Sequence, residues 1–268
     1  MLAVLHPGAM GVAVGACLVG GGHEVGWLRT GRSAATSQRA EQVGLTAFDG
    51  LAELLAHTDV VFSICPPHAA LEVAGQLAGF RGIVVDANAV SPETSTHVGR
   101  IVTAGGARYV DGGIIGPPPT TTGTTRLYLA GDDATVTGLF AGSALDVVNL
   151  SGAAPAASAL KMTYAAWTKT TAALLVSIRR TAAALGVEDD LVKEWAMSQP
   201  GLPESWLRAR RQSDEKGWRW SYELAEVGRT FAAVGEPEGF GAAASQVFAA
   251  LVDGGPPVDR TQQPVSDP

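Results

Sequence analysis

The first 150 residues alternate short apolar runs with stretches of helical character, and this alternation restricts the possible fold more than any other feature. It is typical of βαβ units, which build a parallel sheet covered by helices on both faces. The near-continuous apolar character of the runs agrees with strands buried on both sides. We expect strands at Leu2–Leu5, Glu24–Leu28, Val60–Ile64, Ile83–Asp86, Tyr109–Val110, Leu127–Ala130 and Val147–Leu150, and helices between them, as at Ala9–Val19, Leu51–Ala56 and Glu93–Ala104.

The amino-acid composition of the chain changes after Leu150. From Ala156 to Leu185 the chain is rich in alanine and leucine, and nothing breaks it before Gly186, which predicts one long helix. Further helices are expected at Asp189–Met197, Pro203–Gln212, Tyr222–Val234 and Gly241–Val252. We therefore predict a doubly wound α/β domain over residues 1–152, an all-α C-terminal domain over residues 153–252 joined to it by the long helix, and a disordered tail over residues 253–268.

Composition and charge argue against several classes of partner. The formal net charge is -7, and no basic run offers a surface for the backbone of a nucleic acid. No apolar stretch is long enough to span a membrane, and no basic segment precedes the strand at Leu2, so we expect neither a membrane anchor nor a signal peptide. The two cysteines, Cys17 and Cys65, are too few for a metal cluster and fit a reducing cytoplasm.

A glycine-containing loop joins the first predicted strand to the first predicted helix. Its residues are His6, Pro7, Gly8, Ala9, Met10 and Gly11. In a dinucleotide-binding unit such glycines let the backbone approach the pyrophosphate, while the helix N-terminus presents unpaired N–H groups and partial positive charge. The common pattern is G-x-G-x-x-G, and His6 stands where the first glycine is usual. The loop predicts a Rossmann-type dinucleotide site, with a tight turn that binds no ligand as the alternative.

A basic turn follows the second predicted strand. An acidic residue at this place usually binds the ribose of NAD. This chain instead has Arg29, Thr30 and Arg32, followed by Ser33. Because guanidinium groups match phosphate oxygens in bidentate fashion, the turn favours the 2′-phosphate of NADPH over NADH. The alternative is that both arginines are merely solvated at the surface.

Five segments in order along the chain resemble motifs of the β-hydroxyacid dehydrogenase superfamily. That group includes hydroxyisobutyrate and 6-phosphogluconate dehydrogenases, with the imine reductases as close relatives. The segments are Pro7–Gly11, Gly22–Val25, Val85–Pro92, Tyr109–Gly116, and Lys161 at the start of the long helix. Four more resemble a poorly characterised bacterial branch with a short helical C-terminal domain, namely Gly116–Pro119, Ala159–Met162, Lys216–Trp220 and Gly239–Phe240.

The resemblance implies roles for particular positions. Residues bordering the cofactor would be Cys65, Pro66, Asn88 and Lys216. One wall of the substrate site would consist of Asp111, Gly112, Gly113, Ile115 and Gly116. Lys161 would be the general acid/base, which hydride transfer to or from an alcohol carbon requires. A homodimer formed through the helical domain would also follow.

Two positions depart from the pattern of the dehydrogenases. Ile115 stands where a serine usually holds the substrate carboxylate, and Ala165 stands where an asparagine is usual, one helical turn after Lys161. The apolar wall resembles that of imine reductases, which however usually have aspartate or tyrosine in place of Lys161. Tyr164 is a candidate second proton donor, or simply a core residue.

These observations lead to one prediction and two alternatives. We expect an NADPH-dependent oxidoreductase that moves hydride between the nicotinamide and a hydroxy or carbonyl compound, with Lys161 as general acid/base. The first alternative is an imine or iminium reductase that uses NADPH. The second is a catalytically silent NADPH-binding module. For Lys161 the competing interpretation is a surface lysine with a solvated tip, which is what we expect of Lys169.

Overall fold

The computed structural model describes residues 1–131 and 134–254. Residue contacts divide the chain into two compact units that meet in sequence between Lys161 and Met162. The division falls within a helix, whereas the sequence predicts the domain boundary at residue 152. Most of the predicted disordered tail, residues 255–268, lies outside the described residues.

The first unit is built on one eight-stranded sheet with the order β3-β2-β1-β4-β5-β6-β7-β8. The strands are β1 Leu2–Val4, β2 Val25–Leu28, β3 Thr46–Phe48, β4 Val60–Ser63, β5 Ile83–Asp86, β6 Arg108–Ile115, β7 Thr125–Ala130 and β8 Leu145–Asn149. All neighbours are parallel except β6 and β7, which pair antiparallel. The predicted doubly wound sheet is confirmed, but the sequence patterns do not predict β3 or the full length of β6.

Helices cover both faces of this sheet. They are α1 Ala9–Gly20, α2 Ala34–Gln42, α3 Leu51–Ala56, α4 Ala70–Gln76, α5 Pro92–Ala104 and α6 Ala134–Gly138, with a 3₁₀ turn at Pro67–Ala69 before α4; α7 Ala156–Ala165 begins in the same unit. Neighbouring residues of β4 point to opposite faces, as strand geometry requires. Phe62 packs in a core with Leu18 and Trp27, whereas Val61 packs in a second core with Leu77.

The second unit is helical throughout its described residues. A π-helical turn, Ala166–Thr170, continues α7 into α8 Thr171–Ala184, followed by α9 Glu188–Ser198, α10 Leu202–Ala232 and α11 Gly239–Gly254. The predicted helix from Ala156 therefore has a π turn within it. The core of the unit contains Trp195, Leu224 and Phe248, with Trp220 edge-on to Phe248 at a ring-centroid distance of 5.1 Å.

One prediction for this unit is wrong. The sequence predicts two helices over residues 203–212 and 222–234, but residues 203–212 and 222–232 belong to the single helix α10, which ends at Ala232. The polar segment between them contains Gly217, and glycine in a helix costs only about 1 kcal/mol relative to alanine. Burial of Trp220 and Leu224 on the next turns offsets that cost.

No helix among the described residues is long and apolar enough to cross a membrane.

Candidate active site

The candidate site lies at the carboxyl edge of the parallel strands. Arg29 directly follows β2, whereas His6, Cys65 and Asn88 each come two residues after the end of their strand, β1, β4 and β5. The strand order reverses direction at β1, which lies between β2 and β4. In open α/β sheets the crevice outside the carboxyl ends at such a switch point is the usual binding place for ligands. The fold thus brings the predicted cofactor residues of the first unit to one edge.

The two glycines of the phosphate loop meet different demands. A Cβ atom on Gly11 would stand 2.1 Å from the carbonyl oxygen of His6, so the fold itself requires glycine there. A Cβ atom on Gly8 would meet nothing within 4 Å. Gly8 is also the N-cap of α1 and provides no side chain to cap the helix. The space beside Gly8 and the uncapped helix N-terminus fit a close approach by a pyrophosphate group.

His6 contributes no positive charge to this loop. Burial, and secondarily the nearby charge of Arg32, lowers the pKa of its imidazole to about 3. The ring is therefore neutral at physiological pH, and its Nδ1 atom is buried without a hydrogen-bond partner among the described residues. His6 thus replaces a glycine without adding an electrostatic contact for phosphate.

The two arginines of the basic turn have different surroundings. Arg29 forms a bidentate pair with Asp49, at 2.9 Å from Nε to Oδ1 and 2.7 Å from Nη2 to Oδ2. Thr30 donates its hydroxyl to the Asp49 carbonyl oxygen at 2.6 Å. The positive charge of Arg32, in contrast, acts to lower the pKa of the His6 imidazole and of the Cys65 thiol. Asp49 therefore neutralises Arg29, whereas the charge of Arg32 acts on the loop after β1 and the turn after β4.

Sequence reasoning missed Asp49. This residue directly follows Phe48 at the end of β3, a three-residue strand with no apolar run long enough to predict it. An isolated acid after so short a strand gives no signal by itself, and only the parallel pairing of β2 with β3 brings it beside Arg29. The hydrogen bonds from Arg29, together with its charge, lower the pKa of the Asp49 carboxyl.

Asn88 organises the end of β5. Its side-chain Oδ1 accepts a hydrogen bond from the Cys65 backbone N–H at 2.6 Å, and its Nδ2 donates to Ser63 at 3.1 Å and also to Asp86. Asn88 is 2% exposed. Burial, and then the charge of Asp86, raises the pKa of the Cys65 thiol to about 12, so this cysteine is a packing thiol rather than a nucleophile.

Asp111 is buried in a network of hydrogen bonds within the first unit. Its Oδ1 accepts from the hydroxyls of Ser95 at 2.9 Å and Ser158 at 2.5 Å. Its Oδ2 accepts from the backbone N–H groups of Ala157 at 2.7 Å and Ser158 at 3.0 Å. The residue has no exposed surface. The carboxylate of this predicted wall residue is therefore turned into the protein, where it anchors α7.

Lys161 lies beside the wall that the sequence predicts. A Cβ atom on Gly113 would stand 3.2 Å from the Cβ of Lys161 and 2.7 Å from the carbonyl oxygen of Ala157. Glycine at this position thus lets α7 pack closely on β6. Lys161 is partly exposed. The fold therefore brings the predicted acid/base next to the predicted wall.

The other wall residues divide between the two faces of β6. Side chains alternate along a strand, so Ile115 shares the face of Asp111 and Gly113. It is 7% exposed. Gly112 points to the opposite face, where a Cβ atom would stand 3.3 Å from the Cβ of Ala87, so it does not line the face that carries Lys161.

Gly116 ends the predicted wall at a backbone conformation that only glycine adopts readily. Its φ is +131°, and a Cβ atom there would lie 2.5 Å from the Thr124 carbonyl oxygen. The glycine is therefore required by the turn that follows β6, whatever else it contacts.

The remaining predicted residues differ in their surroundings. Pro66 is the N-cap of the 3₁₀ turn after β4. Tyr164 is 47% exposed on α7, and Ala165 beside it is fully buried. Lys216 lies exposed within α10. Tyr164 and Lys216 belong to the helical unit.

The described residues include no group of three or more His, Cys, Asp or Glu side chains that could hold a metal ion.

Two comparisons of the sequence find similar proteins. Residues 182–251 match a family described as a domain of unknown function, DUF1932. An uncharacterized 28.5 kDa protein from Methanothermus fervidus is 28% identical over 164 residues, which cover 61% of this chain and 63% of that protein. The alignment thus spans less than two thirds of this curated relative.

Solved structures match nearly the whole chain. A conserved protein of unknown function, described as structurally similar to 3-hydroxyacid dehydrogenases, is 26% identical, with a TM-score of 0.68 and coverage of 94% of this chain and 96% of that one. The 3-hydroxyisobutyrate dehydrogenase of Mycobacterium tuberculosis with L-serine is 20% identical, with a TM-score of 0.69 and coverage of 97% and 96%. A reductive aminase from Aspergillus terreus with NADPH and ethyl levulinate is 18% identical, with a TM-score of 0.60 and coverage of 95% and 94%.

The eight-stranded sheet and the loop at its carboxyl edge define a protein of the doubly wound, Rossmann-type α/β class with a helical C-terminal unit. Within that class the chain is β-hydroxyacid dehydrogenase-like in its fold, and the resemblance seen in its sequence motifs is confirmed at that level.

Proposed function

We propose that this protein is an NADP(H)-dependent oxidoreductase that transfers hydride between the nicotinamide and a small hydroxy or carbonyl compound. The observation that carries the proposal is the packing of Lys161 beside Gly113. Lys161 lies on α7, and the first turn of α7 is hydrogen-bonded to Asp111 of β6. With its Cβ at this point, Lys161 would hold an amine next to the wall where the family resemblance puts the substrate.

The cofactor part of the proposal rests on the phosphate loop and the basic turn. The uncapped N-terminus of α1 would bind the pyrophosphate, and the open space beside Gly8 would admit it. Arg29 and Thr30 would bind the 2′-phosphate, and Arg32 would add positive charge near the loop. Cys65 and Asn88 would border the nicotinamide, which supplies or accepts the hydride. The reductive aminase of similar fold binds NADPH, which supports this choice of cofactor.

Lys161 has the role of moving one proton. In the direction of reduction, its ammonium group donates a proton to the carbonyl oxygen as the carbon receives hydride. In the direction of oxidation, the neutral amine accepts the hydroxyl proton. Tyr164, nearly one helical turn further along α7, is a second candidate donor. Lys216 is kept as a candidate cofactor contact on the strength of the family resemblance alone.

A second candidate function is the reduction of an imine or iminium group. Ile115 favours it, because this buried apolar residue stands where the dehydrogenases have a serine that binds the substrate carboxylate. The similarity in fold to a reductive aminase is also consistent with it. The presence of Lys161 favours the hydroxy or carbonyl substrate, so that function is preferred.

A titration with each cofactor tests the proposal first. We expect NADPH to quench tryptophan emission and to bind at least about ten-fold more tightly than NADH, a difference of about 1.4 kcal/mol. Failure of both to bind would overturn the enzymatic proposal. Binding without turnover of any ketone, alcohol or cyclic imine in a broad panel would instead favour a silent NADPH-binding module.

Substitution of Lys161 tests the chemistry. We expect Lys161→Met to bind NADPH like the unchanged protein but to lose turnover of ketones and alcohols. Lys193→Met is the control, because the side chain of Lys193 is 72% exposed in the helical unit. Full activity of Lys161→Met on a ketone would rule out the proposed role, and retention of activity on imines alone would favour the second candidate function.

A homodimer formed through the helical unit completes the proposal. Trp167 and Val234 of this unit are 73% and 77% exposed, and such large apolar side chains are common at subunit interfaces. Sedimentation equilibrium would measure the mass, and a monomer at micromolar concentration would contradict this part.

A further inference from the structure

The first turn of α7 is capped by a residue far away in the sequence. Ala157 and Ser158 are the second and third residues of this helix, whose N–H groups have no partner within the helix itself. Both N–H groups donate to Oδ2 of Asp111, which precedes them by 46 and 47 positions. A cap usually comes from the residue just before the helix. Here it ties the helix to β6 instead.

A second contact fixes the same helix on the same strand. Gly113 is two residues after Asp111 and therefore faces the same side of β6. It packs against the carbonyl of Ala157 and the Cβ of Lys161. Ala157 and Lys161 are four residues apart and lie on one face of α7. The Asp111 carboxylate thus restrains the start of α7. Because Gly113 has no side chain, the next turn of α7, which carries Lys161, can pack closely on β6.

We propose that Asp111 is the positioning residue for Lys161, because its bonds to Ala157 and Ser158 fix the point at which the lysine side chain leaves the helix. This inference rests on the proposed function for its catalytic meaning. Asp111 itself has no exposed surface, and both of its carboxylate oxygens accept hydrogen bonds from within the protein. Its role is to hold the amine in one place, and misplacement of a reacting group by about 1 Å can lower a rate about 100-fold.

The chain offers a matched pair of substitutions. Ser158 and Ser95 each donate a hydroxyl to Oδ1 of Asp111, at 2.5 and 2.9 Å. Both are buried, at 1% and 0% exposure. Ser158 belongs to α7, whereas Ser95 belongs to α5. Ser158→Ala and Ser95→Ala therefore each remove one hydroxyl bond from the same carboxylate, and Ser95→Ala also removes the 2.7 Å bond between Ser95 and the Tyr109 hydroxyl. Only Ser158→Ala removes a bond from the helix that carries Lys161.

The test measures the amine of Lys161 directly and needs no substrate. The whole protein without cofactor is labelled with trace acetic anhydride at several pH values, and acetylation of Lys161 is compared with that of Lys193 by mass spectrometry. We expect Ser158→Ala to change the rate at Lys161 about three-fold or more, because the amine would leave its fixed position. Ser95→Ala should leave that rate unchanged, although it loses at least as much stability as Ser158→Ala because it also loses the bond to Tyr109.

Equal changes in the two variants, or no change in either, would overturn the proposal. Asp111→Asn is a second variant. In one orientation of the asparagine amide, its NH2 group would face the N–H groups of α7, donor against donor. The acetylation rate of Lys161 should therefore change more in Asp111→Asn than in Ser158→Ala. The NADPH titration of the unchanged protein is a separate measurement. Failure of NADPH to bind would overturn the proposed function, whereas the labelling result would still decide whether Asp111 positions Lys161.

Discussion

Lys169 and Glu223 form an ion pair inside the helical unit, where each side chain is only 11% exposed. The Lys169 ammonium also lies 5.8 Å from the centre of the Trp220 ring. Removal of one partner from a buried pair leaves an uncompensated charge, which typically costs about 3–5 kcal/mol. We therefore expect Lys169→Met to lower the free energy of unfolding by about that amount, measured by denaturant titration with tryptophan emission.

The control for this prediction is an exposed ion pair in the same unit. The side chains of Lys193 and Asp190 are 72% and 80% exposed, and such a pair contributes about 0–1 kcal/mol. Lys193→Met should therefore have little effect. The double variant Lys169→Met with Glu223→Leu should recover much of the lost stability. Equal stability of Lys169→Met and Lys193→Met would contradict the buried pair.

The same ion pair shows what local sequence patterns do not predict. The chain around Lys169 is rich in alanine, so no clear apolar stripe indicates which side of the helix is buried, and the pattern predicts a solvated lysine. The contacts of Asp49 and Asp111 escape prediction for a related reason. Their partners are 20 and 46 residues away, and only strand pairing and helix packing bring them together.

Other features depend on local patterns and are predicted correctly. The turn from β1 into α1, which precedes Ala9, is determined by residues adjacent in sequence. The strand Ile83–Asp86 has the predicted bounds, because its apolar run lies between a glycine and a polar turn. The substrate class has no such local determinant, since Ile115 and Lys161 point to different classes of reaction.

The two glycines of the phosphate loop give a prediction with an internal control. Gly11→Ala places a Cβ atom 2.1 Å from the His6 carbonyl oxygen, so it should destabilise the first unit by several kcal/mol, on the order of other severe backbone clashes. Gly8→Ala meets nothing in the protein and should fold normally. It should nevertheless weaken NADPH binding about ten-fold or more, because the added methyl group would fill the pyrophosphate site.

Circular dichroism melts and NADPH titrations separate the two effects. A Gly8→Ala variant that binds NADPH as tightly as the unchanged protein would mean that the open space beside Gly8 is not a phosphate site. A Gly11→Ala variant with unchanged stability would contradict the loop geometry.

The pairing of Arg29 with Asp49 predicts opposite effects of two substitutions on cofactor choice. Arg29→Ala removes a guanidinium group from the 2′-phosphate, so NADPH binding should weaken about ten-fold or more while NADH binding stays the same. Asp49→Asn removes a negative charge beside that phosphate and should strengthen NADPH binding. Both residues are exposed, so neither change should alter stability appreciably. Equal losses for NADPH and NADH in Arg29→Ala would show that Arg29 does not recognise the 2′-phosphate.

Asp86 predicts how the stability of the first unit depends on pH. Burial, and then the charge of Asp111 on the neighbouring strand, raises its pKa to about 7. Tyr109, Asn88 and the Cys65 thiol are the other polar or titratable groups around it. Because the folded protein holds this proton more tightly than the unfolded chain, the contribution of Asp86 is most favourable below about pH 4 and is lost progressively as the pH rises to about 7. A shift of about three units corresponds to at most about 4 kcal/mol.

Asp86→Asn replaces the protonated acid by a neutral group of the same shape and should remove this dependence. We expect the stability of the variant relative to the unchanged protein to increase steadily between about pH 4 and pH 7 and to level off above that range. Urea titrations at intervals of about half a pH unit, followed by circular dichroism, would measure it. Parallel pH profiles for the two proteins would mean that the pKa of Asp86 is not raised in the folded state. The burial of Asp86 and its like-charge contact with Asp111 would then have to be offset by hydrogen bonds to Asp86 itself, such as those from Asn88.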